Sequence, residues 1–210
     1  MNLQFEHYQL HSKPFRAPTP ALFFDRDGVL IEDRHYICNP DDVKLCHGVK
    51  KLLEQAKNNQ WPAVIITNQS GIARGFFDWA TYELVTARLL QLLGPETLIS
   101  AIYANGHGPN ATLNCWRKPS PGMLLAAAKD LNIDLSRSIL VGDRLTDLQA
   151  GASAGVPFLI HVLTGHGKKE RESVESWSKQ NLLLANSPSF KLALINSLED
   201  FPFEKLQETT

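Results

Sequence analysis

Two aspartates stand two residues apart in the run Phe23-Phe24-Asp25-Arg26-Asp27-Gly28-Val29. In an extended chain, side chains at i and i+2 point the same way, so both carboxylates would address one space. Gly28 lets the backbone turn sharply behind them. Three more polar clusters follow: Thr67-Asn68-Gln69-Ser70-Gly71-Ile72-Ala73-Arg74-Gly75, Arg117-Lys118-Pro119, and Gly142-Asp143-Arg144-Leu145-Thr146-Asp147. Each has an ordinary reading alone: a polar turn, a strand-to-helix loop, a surface cation pair, and in Asp147 a first-turn acid that complements a helix dipole. The four together point elsewhere. Carboxylates gathered at one site repel one another unless a cation sits among them. A few hard oxygen ligands favour Mg²⁺, which keeps part of its water. Hydroxyl, amide and loop N–H groups, with Lys118, would then cradle a phosphate. The first run is no EF-hand loop, because the later acidic ligands and flanking helices are missing.

The elements that position these clusters are legible in the apolar pattern. Ala21–Phe24 is too short for a helix, suits a buried strand, and stops at Asp25. Ala63–Ile66 is a second such run, ending at Thr67, and Ser138–Val141 another, ending at Gly142-Asp143. Residues 99–104 and 158–162 read as further strands, and 190–195 as a late edge strand. Between them, residues 48–59 carry Val49, Leu52, Leu53 and Ala56 on one helical face. Asp78 caps a helix to Leu93 with Tyr82, Val85, Leu89 and Leu92 at core spacing, and Gly94 stops it. Ser120 as N-cap with Pro121 at the first helical position opens a helix to Leu131. Further helices are predicted from 144 to 154 and from 168 to 181, with a last helical turn at Leu198–Phe201. Strand and helix in alternation imply a Rossmann-like, three-layer α/β fold with a central parallel sheet. Ligands bind such sheets at the carboxyl ends of the strands, where Asp25, Thr67 and Asp143 lie.

Composition sets outer bounds. The 210 residues are 43% hydrophobic and 20% charged, as for an ordinary globular domain. Lys and Arg number 21 against 22 Asp and Glu, so no bulk basic field exists to hold nucleic acid. Three thinly spread cysteines, Cys38, Cys46 and Cys115, make a poor disulfide framework and fit a reducing cytoplasm. No signal peptide or membrane span is expected. Pro14, Pro18 and Pro20 disfavour regular structure near the start, so residues 1–19 read as a lead-in and 20–210 as one domain. No long heptad seam is visible, and a monomer is expected.

At these four clusters the chain resembles the haloacid dehalogenase superfamily of phosphotransferases. Within it, D-R-D-G-V, T-N-Q-S-G-I-A-R-G, R-K-P-x-P-G-M and V-G-D-R-x-x-D resemble the D-glycero-D-manno-heptose-1,7-bisphosphate 7-phosphatases, relatives of the histidinol-phosphate phosphatases. The match spans roughly residues 20–165. The resemblance implies two-step phosphoryl transfer, with Asp25 as nucleophile and Asp27 as general acid, then base. It implies that Thr67 and Lys118 hold the phosphoryl oxygens. Mg²⁺ would bind the carboxylates of Asp25 and Asp143 and the backbone carbonyl of Asp27, with Asp147 behind them orienting Lys118 or the ion's waters. Residues matching Asp33, Arg34, His35 and Tyr36 form a substrate flap in that family. Those matching Asn68, Gln69, Ser70, Arg117 and Arg144 are its further substrate contacts. For Arg117, a solvated cation and a partner for a second, non-reacting phosphate both remain open. The gaps 28–62 and 75–117 leave no room for a large cap domain.

The sequence also departs from that pattern. The resembled enzymes usually carry a structural zinc in the loop before the Lys motif; the matching positions here are Ala104, Gly106, Asn114 and Trp116. His107 and Cys115 are each one residue out of register, and two ligands do not close a tetrahedral site, so no structural zinc is expected. Trp116 is then a candidate to hold the loop by packing. His35 stands where the family often has glycine, and reads as a flap contact or as a surface histidine. Residues 166–210 are assigned no chemistry. The resemblance implies a Mg²⁺-dependent phosphatase of a phosphorylated heptose in lipopolysaccharide or surface-glycan precursor synthesis. Other readings are a phosphatase for histidinol phosphate or another small ester, a nucleic-acid-end phosphatase, and a non-catalytic sugar-phosphate binder.

Overall fold

A computed structural model describes residues 5–95, 99–110, 115–183 and 190–207. The strands are β1 (Glu6–Leu10), β2 (Leu22–Phe24), β3 (Ala63–Asn68), β4 (Ile99–Asn105), β5 (Ile139–Gly142), β6 (Phe158–His161) and β7 (Lys191–Leu194). The helices are α1 (Val49–Asn58), α2 (Trp79–Leu93), α3 (Gly122–Leu131), α4 (Leu145–Ser153) and α5 (Gly167–Leu183). The sheet runs β1-β4-β3-β2-β5-β6-β7, and every neighbouring pair is parallel except β1 with β4. The chain first builds outward from β2 through β3 to β4, then returns to β5 on the other side of β2. The reversal at β2 and β5 opens the crevice in which such sheets bind ligands.

Period-two alternation assigns the strand residues to two cores. Leu22, Phe24, Ile65, Ile102 and Val141 face α1 and α2. Phe23, Val64, Ile66, Tyr103 and Leu140 face α3 and α4. Burial on both faces explains why these strands read as short continuous apolar runs. The buried residues of α1 are the four that its periodicity selects. Asp78 caps α2 by accepting the Thr81 N–H at 2.8 Å, and Gly94 ends it at φ +85°. Leu93 takes the last core position of α2, where Leu92 was expected; Leu92 is only partly buried.

The structure corrects two local expectations. Helix α3 begins at Gly122 with Pro121 in the cap position, one residue later than the Ser-Pro pattern implies. Ser120 Oγ still accepts the Gly122 N–H at 3.4 Å. Residues 6–10, within the segment read as a lead-in, form an edge strand in register with β4, from Glu6–Asn105 to Leu10–Ala101. The prolines that argued against structure lie beyond this strand. No helix among the described residues is long and apolar enough to cross a membrane.

Candidate active site

The carboxyl ends of β2, β3 and β5 bring three motifs together, and the turn before α3 supplies the fourth. Lys118 Nζ lies 2.9 Å from Asp25 Oδ1 and 2.7 Å from Asp147 Oδ1, and donates to the Ile66 carbonyl at 2.9 Å. Asn68 staples this turn to β3: its Oδ1 accepts the Lys118 N–H at 3.1 Å, and its Nδ2 donates to the Lys118 carbonyl at 3.2 Å. Burial opposes charge on Lys118, but Asp147 and Asp25 outweigh it and hold the ammonium above its ordinary range. Asp25 is pushed up to about 6, first by burial, with Lys118 pulling the other way and Asp147 and Asp27 adding to the rise.

Asp143 is fully buried at the end of β5. Its Oδ2 accepts the His166 N–H at 2.7 Å, and its Oδ1 has no hydrogen-bond partner among the described residues. Burial and then the nearby Asp147 and Asp25 raise its carboxyl well above the usual range. Gly28 (φ +88°) and Gly165 (φ +56°) make this close approach possible, since a Cβ on either would strike the Asp143 carboxylate. From behind, His161 Nε2 lies 3.0 Å from the Asp143 carbonyl, and His161 Nδ1 accepts from Arg171 Nε at 3.0 Å. These contacts require the Nε2–H tautomer. Arg171 Nη2 also donates to the Ile195 carbonyl at 2.7 Å.

Each of Asp25, Asp143 and Asp147 offers an oxygen within 4.8 Å of the others, a geometry suited to a cation. Asp147 is the most occupied of the three: Oδ1 meets Lys118, and Oδ2 accepts the Arg144 N–H at 2.9 Å as a helix cap. The orphaned, buried Asp143 Oδ1 beside Asp25 is the clearest opening for a hard divalent ion.

Asp27 lines the same pocket as Asp25. Its carboxylate is gripped by Arg26, Nε to Oδ2 at 3.0 Å and Nη2 to Oδ1 at 3.1 Å, and by Gln69 Nε2 at 2.8 Å. Gln69 Nε2 also reaches Thr67 Oγ1 at 2.8 Å. At the mouth, Asp33 meets His166 Nε2 at 2.7 Å, and Asp33 Oδ1 accepts the His35 N–H at 3.1 Å. Tyr36 packs edge-on to Phe76, with ring centroids 4.8 Å apart. Ser70, Arg117 and Arg144 line the same pocket, as do Arg74 and Thr146. Arg34 is not among the lining residues; its guanidinium pairs with Glu32 at 3.0 Å on the surface. Burial holds Arg117 below its ordinary range; Cys115 opposes it, and Arg144 and then Arg74 add to the fall.

In the loop before Lys118, Arg117 Nη1 donates to the His107 carbonyl at 2.9 Å. Trp116 packs edge-on to Tyr103 at 5.4 Å between centroids, and its Cδ1 lies against Gly122. Asn114, one of the four zinc-equivalent positions, lies outside the described residues. The sequence reading missed Arg26, Arg74, Thr146, His161, His166 and Arg171. Arg26, Arg74 and Thr146 sit inside quoted motifs, so their position was on view; His161, His166 and Arg171 carry no pattern of spacing.

Comparison with known proteins agrees with this geometry. The Hydrolase_like family model, described as HAD-hydrolase-like, matches residues 115–187. A D-glycero-beta-D-manno-heptose-1,7-bisphosphate 7-phosphatase of Mesorhizobium japonicum is 41% identical over 155 residues, covering 70% of this chain and 71% of that one. The enzyme of the same name from Photorhabdus laumondii is 35% identical over 191 residues, covering 87% and 93%. A solved D,D-heptose 1,7-bisphosphate phosphatase from B. bronchiseptica, complexed with magnesium and phosphate, superposes with a TM-score of 0.75 at 30% identity, over 91% of this chain and 100% of that one. With its nearly full-length relatives and its four clusters gathered at the carboxyl end of one sheet, the chain belongs to the haloacid dehalogenase-like phosphatases, the phosphoric monoester hydrolases that include the heptose-bisphosphate enzymes.

Proposed function

We propose that the protein removes the 7-phosphate of D-glycero-D-manno-heptose 1,7-bisphosphate through an aspartyl phosphate on Asp25. The observation that carries the choice of a bisphosphate is the convergence of Arg74, Arg117 and Arg144 on the pocket that contains Asp25 and Lys118. Arg144 and Arg74 both disfavour the charge on Arg117, and three guanidiniums on one pocket suit an anion beyond the reacting phosphate. Bisphosphate relatives over most of the chain support the same substrate.

In this reading the Asp25 carboxylate attacks phosphorus while Lys118 and Thr67 hold the equatorial oxygens. The P–O bond to the sugar breaks, and Asp27 gives its proton to the departing alkoxide. A water then attacks the aspartyl phosphate, Asp27 takes its proton, and inorganic phosphate leaves. Asp25 and Asp143, with the carbonyl of Asp27, would hold Mg²⁺, and Asp147 keeps Lys118 in place. Bound there, the ion lessens the repulsion between the nucleophile and the phosphate and offsets the burial that raises both carboxyls. The sheet, its 6–10 edge strand included, acts as one domain without a large cap, so the site closes by loops only, the 33–36 segment among them.

The test is phosphate release in Mg²⁺ from heptose 1,7-bisphosphate (both anomers), heptose 7-phosphate, histidinol phosphate and 5′-phosphorylated oligonucleotides. The expected kcat/KM is highest for one bisphosphate anomer, with the 1-phosphate as product. Equal or better turnover of histidinol phosphate or of oligonucleotide ends would replace this reading.

A further inference from the structure

Arg26 is the one residue between the two aspartates of the first motif, and its guanidinium is spent inside the protein. Its side chain is 2% exposed, whereas the Asp27 carboxylate that it grips is 24% exposed. That carboxylate keeps part of its hydration, so solvent shares the task of satisfying it. Burying a cation is costly, so this grip is more than is needed to satisfy Asp27. The guanidinium is seated as well as paired: its carbon lies 5.1 Å from the centre of the buried Tyr82 ring. Its Nη2 also lies 3.1 Å from Gln69 Oε1, and Gln69 Nε2 meets both Asp27 Oδ2 and Thr67 Oγ1 at 2.8 Å. A planar fork on both carboxylate oxygens fixes the carboxylate plane as a point charge cannot.

We propose that Arg26, seated on Tyr82 and linked through Gln69, is a positioning residue that sets the plane of the Asp27 carboxylate in register with Thr67. The inference rests on Asp27 as the group that protonates the leaving oxygen. A carboxyl turned out of plane misses the alkoxide of a sugar ester, but the loss is small for an aryl ester whose leaving group departs unprotonated. Arg26 therefore governs which leaving groups the enzyme tolerates, without touching substrate.

The experiment compares kcat/KM for heptose 1,7-bisphosphate and for 4-nitrophenyl phosphate in wild type, Arg26→Lys, Asp27→Asn and the double variant, each checked by thermal melting. Arg26→Lys is expected to lower the sugar-to-aryl ratio by about 30- to 100-fold, and to lower it no further when Asp27 is already Asn. An unchanged ratio in Arg26→Lys, or equal losses on both esters, overturns the proposal. A ratio unchanged in Asp27→Asn overturns instead the reading of Asp27 as proton donor. Should Arg26→Lys fail to fold, Gln69→Ala removes the other grip on Asp27 and is expected to lower the same ratio about tenfold; no change there also overturns the proposal.

Discussion

At the floor of the pocket, Lys118 lies within 3 Å of two carboxylates, and Asp25, Asp143, Asp147 and Lys118 are all at most 7% exposed. At its mouth, Asp33, His35, Tyr36 and Arg74 sit on loops, partly or largely open to solvent. The floor is assembled by strand ends and by buried carboxylates, two of which share Lys118. The mouth is assembled by contacts across loops, such as Asp33 with His166 and Tyr36 with Phe76. The contrast separates two tasks. In the proposed reading, reaction chemistry is placed on buried strand ends, and substrate choice on loops where residues can change without loss of the fold.

The contrast is broken or sharpened most by Asp25→Asn. Turnover should fall below about a thousandth of wild type while the melting curve stays cooperative. An active variant, shown by mass to be free of deamidation, would remove Asp25 from the chemistry. Lys118→Met leaves Asp25 and Asp147 buried without their shared cation, and should cost about 3–5 kcal/mol in urea unfolding. A cost near zero would mean that the floor is not the tightly balanced unit described.

Next comes pH. Without metal, the raised carboxyls of Asp25 (about 6) and Asp143 bind protons more readily in the folded chain than in the unfolded one. Their stabilising contribution is therefore full below the ordinary carboxylate range and is lost as pH rises through the folded values. Mg²⁺ should then raise Tm, relative to EDTA, more at about pH 7.5 than at about pH 5. Equal increments at both would contradict a cation among these carboxylates.

At the mouth the expected effects are smaller and selective. Arg117→Ala should raise KM for a bisphosphate about tenfold with little change for a monophosphate, read from steady-state kinetics. His166→Ala unties the Asp33 flap and should raise KM about threefold at unchanged kcat. A kcat loss as large as the KM change in either variant would erase the distinction between floor and mouth.

The same division governs what could be read from sequence. Asp25, Thr67 and Asp143 stood out because each abruptly ends an apolar run that must be a buried strand. Their convergence then follows from the topology. Arg26 gave no such signal, because adjacency in a turn does not say whether a cation faces in or out. His166 and Arg171 lie in a polar stretch whose partners Asp33, Asp143 and His161 fall at no regular spacing from them. The first strand was hidden by an inverted pattern: Tyr8 and Leu10 are exposed, while the polar His7 and Gln9 are the more covered. Tyr8 is accounted for by stacking on Tyr103, with ring centroids 6.0 Å apart, a contact visible only once β1 lies against β4.

The link from Arg171 through His161 to the Asp143 carbonyl, with its branch to Ile195, gives the last third of the chain a bearing on the buried carboxylate cluster. A fragment cut after Val162 would keep all four signature clusters and still lack the His166 N–H that holds Asp143 and the Arg171 guanidinium that holds His161. For anyone trimming, grafting or redesigning this scaffold, the smallest working unit is thus longer than its motifs suggest.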